Sequence, residues 1–160
     1  MANRDLNTIS PHMGRDLRLE YRQSGGFFED ADLATRRRTD SPRRERDLEL
    51  TESIENFTQA IANRLKTRKG ELEALGNPEY GSRHHELIGE PNVDRTRNLI
   101  KMFVLRALND DPRVERVLSL TVRPEHSPPR ETVRIEANLR LIGEPAPLNL
   151  VVPFSLEVTP

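Results

Sequence analysis

Histidine and glutamate are among the residues best able to do chemistry in this chain, and they stand side by side at His84-His85-Glu86-Leu87-Ile88-Gly89. A zinc-protease helix needs His, then Glu, then a second His four residues after the first, so that both imidazoles face one metal. Counting from His85, the required position is Gly89. With that ligand missing and no cysteine anywhere, His84 and His85 read as surface or helix-end histidines. Glycoside hydrolysis asks for two carboxylates several ångströms apart, one of them in an apolar pocket. Glu71, Glu79, Glu86 and Glu90 offer carboxylates, yet a chain without tryptophan and with only two tyrosines is poorly equipped to stack a sugar. No glycine-rich loop leading into Lys and Ser or Thr is present to cradle a phosphate, and no aromatic-basic platform suits single-stranded nucleic acid. The expectation is therefore no catalytic residue, no metal and no cofactor.

Composition narrows the remaining classes. The 160 residues carry 25 basic and 26 acidic side chains, for a net charge of −1. Near-neutrality argues against electrostatic capture of nucleic acid, which needs an excess of phosphate-neutralising charge on one face. Zero cysteines remove disulfides, thiolate zinc sites and cysteine nucleophiles together. No apolar run approaches the roughly 20 residues that cross a bilayer, and residues 1–10 lack the apolar centre of a signal peptide. A soluble protein without membrane insertion is expected, with one compact domain and an appendage. Among the basic residues only Lys66, Lys69 and Lys101 are lysine. The arginine excess fits either biased base composition or a surface built for planar, bidentate pairing with carboxylates.

The elements that must position any site divide unevenly along the chain. Between Arg22 and Asp47 only Phe27, Phe28, Ala31, Leu33 and Ala34 are apolar, while Arg36-Arg37-Arg38 and Arg43-Arg44 alternate with Asp40, Glu45 and Asp47. Such a stretch buries too little to offset the entropy of ordering it, so residues 1–50 read as an extended, partly ordered arm. Leu17, Leu19 and Tyr21 alternate within it as a strand would. From Thr51 a regular domain, residues 51–160, begins. Ile54, Phe57, Ile61 and Leu65 line one helical face and Asn56, Gln59, Asn63 and Lys66 the other. Thr51 or Ser53 suits the N-cap and Gly70 the stop, predicting a helix from about Ser53 to Lys69.

A loop-rich stretch follows, with at most a short helix from Ser82 to Ile88. Asp94 then reads as the N-cap of a second helix ending near Asn109, apolar around most of its circumference and so expected to be centrally buried. The apolar period next changes to two. Leu118, Leu120 and Val122 alternate, then Val133 to Leu141, then Leu148, Leu150, Val152, Phe154 and Leu156. Three antiparallel strands are predicted, the last an edge strand or one carrying a bulge because Pro153 cannot donate to a ladder. Helices followed by a meander give an α+β fold, two main helices on one face of a small antiparallel sheet.

Certain segments occur in a telling order: Gln59-Ala60-Ile61 with Arg64-Leu65-Lys66-Thr67, Gly70-Glu71-Leu72, Pro78-Glu79-Tyr80-Gly81-Ser82-Arg83, His85 to Asn92, and Asp111-Pro112-Arg113-Val114. In that succession residues 56–122 resemble the phage baseplate-wedge family that starts the contractile sheath, often labelled lysozyme-like. Its members occur in contractile tails, in phage-derived injection particles and, more distantly, in the type VI secretion baseplate. The family's Glu-Pro-Arg signature stands here as Asp111-Pro112-Arg113, one methylene shorter at the acid. The resemblance implies a structural, non-enzymatic protein present in several copies of a symmetric ring in the assembled baseplate, and made in the bacterial cytoplasm. Its implied partners are baseplate wedge proteins, the tail sheath protein and the hub or tube region.

By that resemblance Asp111, Pro112 and Arg113 meet the wedge core, and Gly70, Glu71, Pro78, Tyr80, Gly81 and Arg83 form the motif loop. The edge strand with Leu148, Leu150, Val152 and Phe154 would align with a sheath strand, and the arm would lie extended on another baseplate chain. Arg113 is either a bidentate clamp on a partner's carboxylate or helix-end carbonyls, or half of an internal salt bridge to Asp110 or Glu115. The lysozyme label leaves a peptidoglycan hydrolase as the alternative.

Overall fold

The computed structural model describes residues 12–24, 27–40, 45–125 and 131–157. They form an α+β fold with two long helices and antiparallel sheets. Two compact units make up the chain, Met1–Gln59 and Ala60–Pro160, and the division falls inside the first long helix rather than at residue 50. Gly25-Gly26 and Ser127-Pro128-Pro129 lie outside the described residues.

In the first unit the chain does not run as a single extended arm. Strands β1 (Arg15–Leu17) and β6 (Leu50–Glu52) pair, as do β2 (Leu19–Ser24) with β3 (Phe27–Leu33) and β4 (Thr35–Arg37) with β5 (Arg46–Leu48), all antiparallel. The three ladders meet at a closed ring of backbone hydrogen bonds. Arg18 N–H donates to the Glu49 carbonyl at 2.8 Å, Glu49 N–H to Ala34 at 2.9 Å, and Ala34 N–H to Arg18 at 2.8 Å. The low apolar content that suggested an unpaired arm is no obstacle, because ladder bonds satisfy main-chain groups without a hydrophobic core.

Helix α1 (Ser53–Lys66) follows β6 with no intervening loop. Ser53 makes the turn in the left-handed region, φ 54°, and its N–H donates to the Gly14 carbonyl at 3.3 Å. A non-glycine residue there costs on the order of 1–3 kcal/mol, so its surroundings must hold it. Asn56 and Gln59 supply that hold. The sequence places both on the outer, polar face, but they are only 6% and 8% exposed. Asn56 Nδ2 donates to the Met13 carbonyl at 2.7 Å. Gln59 accepts from Leu19 N–H and donates to the Leu17 carbonyl, both at 2.8 Å, pairing the backbone on either side of Arg18. Thr51, the other proposed cap, is instead a buried member of β6 opposite Asp16.

In the second unit a 3₁₀ turn at Glu73–Leu75 and another at Arg83–Leu87 precede helix α2 (Asp94–Asn109). Asp94 is the first helical residue rather than the cap, a place taken by extended Val93. Arg97 ties this start together, donating to both oxygens of Asn92 and to Asp94. The helix is not buried all round. Thr96, Ile100, Val104, Ala107 and Leu108 form one buried stripe, while Met102 is 53% exposed.

A three-stranded sheet ends the unit, in the order β7 (Val114–Pro124), β8 (Thr132–Leu141), β9 (Leu148–Ser155), with α2 packed on β7. Central β8 buries Val133, Ile135, Ala137, Leu139 and Leu141, as its alternation predicts. In β7 the predicted phase fails at Leu118, because the pairing passes from Val117↔Leu139 to Ser119↔Asn138 and leaves Leu118 as an extra residue. It is 42% exposed, whereas Leu120 is buried.

Phe57 is the largest fully buried side chain of the first unit. Replacing Phe57 with Ala is expected to lower stability by about 3–5 kcal/mol, measured as a shift in chemical-denaturation midpoint at unchanged slope.

Candidate functional site

The turn that leaves α2 is built around one buried carboxylate. Asp111 is 2% exposed, and its two oxygens accept from Arg113 Nε at 2.9 Å and Nη2 at 2.8 Å, with Arg113 N–H adding a third bond at 3.0 Å. Arg64 of α1 stands 3.9 Å from the same carboxylate. Burial alone pushes the Asp111 carboxyl up. The Arg113 bonds and the charges of Arg113 and Arg64 outweigh that, and hold it below the usual carboxylate range. Arg113 is thus engaged internally with Asp111, two residues back, and not with the Asp110 or Glu115 that the sequence offers for an internal bridge. Pro112 between them is exposed, and the turn is tied to the sheet where Ile142 N–H donates to the Arg113 carbonyl at 3.0 Å.

The motif loop reaches the same place. Arg64 lies over the Tyr80 ring at 4.7 Å, and Tyr80 feels the charges of Arg64, Asp111 and Arg113, although burial dominates and raises its phenol. Arg64, Asn77, Glu79, Tyr80, Arg106 and Asp110 line a cavity of about 450 Å³ beside this cluster. Tyr80 of the loop and the Asp111 to Arg113 turn, distant in sequence, therefore converge, and Asn77, Glu79 and Asp110 line one cavity beside them.

Gly81 is essential to that convergence. Its φ is +99°, and a Cβ there would sit 2.6 Å from the Arg68 carbonyl oxygen. The close approach lets Ser82 N–H donate to Thr67 and Lys69 N–H to Ser82, at 3.0 and 3.2 Å. Gly70 turns through φ +84°, and Glu71 accepts from Arg68 N–H at 2.8 Å. Lys69 pairs with the Glu79 carboxylate at 2.8 Å, which holds that acid below its ordinary range. Exposed Pro78 lies between these tethers.

Arg83 belongs elsewhere. It grips Glu86 with two bonds of 2.8 and 2.9 Å and lies over the Phe103 ring.

The histidines are not surface groups. His84 is 2% exposed, paired with Ser82 Oγ at 2.8 Å and edge-on to Phe154 of β9 at 4.5 Å. His85 Nε2 donates to the Leu65 carbonyl at 2.7 Å. Burial, with the neighbouring charge of His85, pushes His84 down to about 3. Such a group is neutral at physiological pH and serves as an aromatic core residue. The sequence signal that could have shown this is Ser82 two residues before His84, a ready partner for one ring nitrogen. Among the described residues no group of three or more His, Cys, Asp or Glu could hold a metal, and no helix is long and apolar enough to cross a membrane.

Strand β9 lies at one edge of its sheet. Leu150 and Phe154 are buried and Leu148 and Val152 half-buried, so the four side chains proposed for docking face their own core, while Val151 is 46% exposed. Pro153 stands opposite Arg134. Beyond the strand, Leu156 accepts from Gly89 N–H at 2.7 Å.

No protein-family model matches this chain. No curated protein matches it either. Among solved structures, a protein from Geobacter sulfurreducens is similar over 66% of this chain and 93% of its own, at 27% identity and a TM-score of 0.57. That protein is named as a tail lysozyme.

Two measurements check the packing described here. Gly81→Ala is expected to lose about 1–3 kcal/mol from its backbone conformation alone, with more from the displaced Arg68 carbonyl, read as a drop in melting temperature. For His84 the folded value lies below the unfolded one near 6.5, so the unfolded chain takes up the proton first as pH falls. Its stabilisation is complete above pH 6.5 and should fall by up to roughly 1.4 kcal/mol per pH unit between there and pH 3. Denaturant titrations at several pH values should show a shallower slope in His84→Leu than in the parent chain.

Proposed function

We propose that this chain is a structural protein of the baseplate of a contractile phage tail or a tail-derived injection particle. It links the baseplate wedge to the first sheath ring and nucleates sheath assembly. The observation that carries this reading is the likeness to a protein named as a tail lysozyme, which supports a phage-tail-related family. In the proposed role the exposed Pro112 turn meets the wedge proteins, the main chain of β9 offers its outer edge to a sheath strand, and several copies stand in a ring around the hub and tube. Buried Leu150 and Phe154 then stiffen the strand, and its backbone does the pairing.

A peptidoglycan hydrolase is the second reading, favoured by the name of the similar protein. The acids count against it. A general acid needs its carboxyl raised, whereas the described carboxyls with a resolved shift, Asp40, Glu79, Glu86 and Asp111, are all held low. Such groups are permanently ionised partners of Arg or Lys.

Deleting the gene in a producing strain should leave tubes and wedges without a seated sheath, by electron microscopy of the particles. Normal particles would falsify the structural role. Clearing of a cell-wall suspension by the purified chain, lost on changing Glu71 or Glu79, would establish the hydrolase instead.

A further inference from the structure

The three-way junction presents a ring of leucines on one of its faces. Paired residues of an antiparallel ladder share a face, and so do residues two apart along a strand. Leu17 stands opposite Leu50, Leu19 opposite Leu33, and Thr35 opposite Leu48. Stepping past Arg18, Ala34 and Glu49, these six residues close a circuit on one side of the junction. On the opposite side Ala34 and Thr51 are buried, whereas Leu33, Leu48 and Leu50 are 47%, 42% and 46% exposed. Single exposed leucines are ordinary, but these three, beside half-buried Leu17 and Leu19 around one point, make an apolar patch.

Two arginines flank the leucines on that side. Arg37 stands directly opposite Arg46, a like-charge pairing that destabilises a ladder. Arg46 is turned onto Thr35, donating to its hydroxyl at 2.7 Å and its carbonyl at 2.9 Å, both neutral acceptors. Glu52 lies on the same side, opposite Arg15, and Arg15 engages it. A second copy packed through the same side would bring more arginines to it.

We propose that the leucine ring docks an amphipathic segment of a different polypeptide, with its apolar residues on the ring and its carboxylates on Arg37 and Arg46. Fluorescence anisotropy of the full chain with two labelled synthetic peptides tests this, both with the same leucine seam, one flanked by glutamates and one by lysines. The glutamate peptide should bind about tenfold or more tightly than the lysine peptide, a difference of about 1.4 kcal/mol. Leu33→Ser with Leu48→Ser should abolish binding, and Arg37→Glu should reverse the preference between peptides. Arg37→Glu, at an exposed position, decides the matter even where the double leucine variant fails to fold. Equal affinity for the two peptides, or none for either, overturns the proposal. So does a dimer in sedimentation that Leu48→Ser dissolves, which makes a second copy the occupant. Binding to phosphatidylserine vesicles that Leu33→Ser abolishes overturns it too, making the surface a membrane contact.

Discussion

A carboxylate with almost no access to water must be neutralised where it stands, and Asp111 imposes that constraint on the second unit. Stranding such a charge costs several kcal/mol, more than most single contacts contribute. Arg113 therefore folds back on the residue two before it, which fixes the turn between α2 and β7. Arg64 is drawn to the same point and brings its stacked partner Tyr80, so the motif loop and the turn share one electrostatic centre. The glycine at position 81 lets the loop come close enough to take part. A sequence that looks like scattered acids and arginines resolves here into a single neutralised cluster.

Much of the fold is legible before any coordinates. The apolar period of β8 predicts which residues are buried, and the bounds of α2 match the capping and stop signals within a residue. These are local patterns, and period alone carries them. Three misreadings share another cause. Asn56 and Gln59 look like a solvent face, since an amide on a helix is usually hydrated. They are buried because unpaired main-chain groups around Met13 and Arg18 need partners, which only the distant pairing of the strands reveals. Leu118 leaves its phase through a bulge that nothing in its neighbours announces. His84 is buried by a contact with Phe154, seventy residues away.

The proposed site is legible in part. The order of the segments groups Asp111 and Arg113 with the Pro78 to Gly81 loop, and the fold brings Tyr80 of that loop within reach of their charges. The partner of Arg113 is less accessible to pattern reading. Spacing favours neighbours such as Asp110 or Glu115 equally, and the choice falls to Asp111 because its carboxyl is the one that the fold buries. In β9 the edge position follows from Pro153, but the alternation that identifies the strand also commits its leucines and Phe154 to the interior.

The absence of any linker between Glu52 and Ser53 has a mechanical side. Flexible loops act as slack, absorbing displacement before tension reaches what lies beyond. Here the last ladder residue and the first helical residue are consecutive, and Ser53 is already wound into a left-handed turn. A tug on the hairpins has no spare chain to straighten. It arrives at helix α1 through the peptide bond itself, and in parallel through the amides of Asn56 and Gln59. Within the first unit, the hairpins and the opening turns of α1 up to Gln59 therefore share load through both routes.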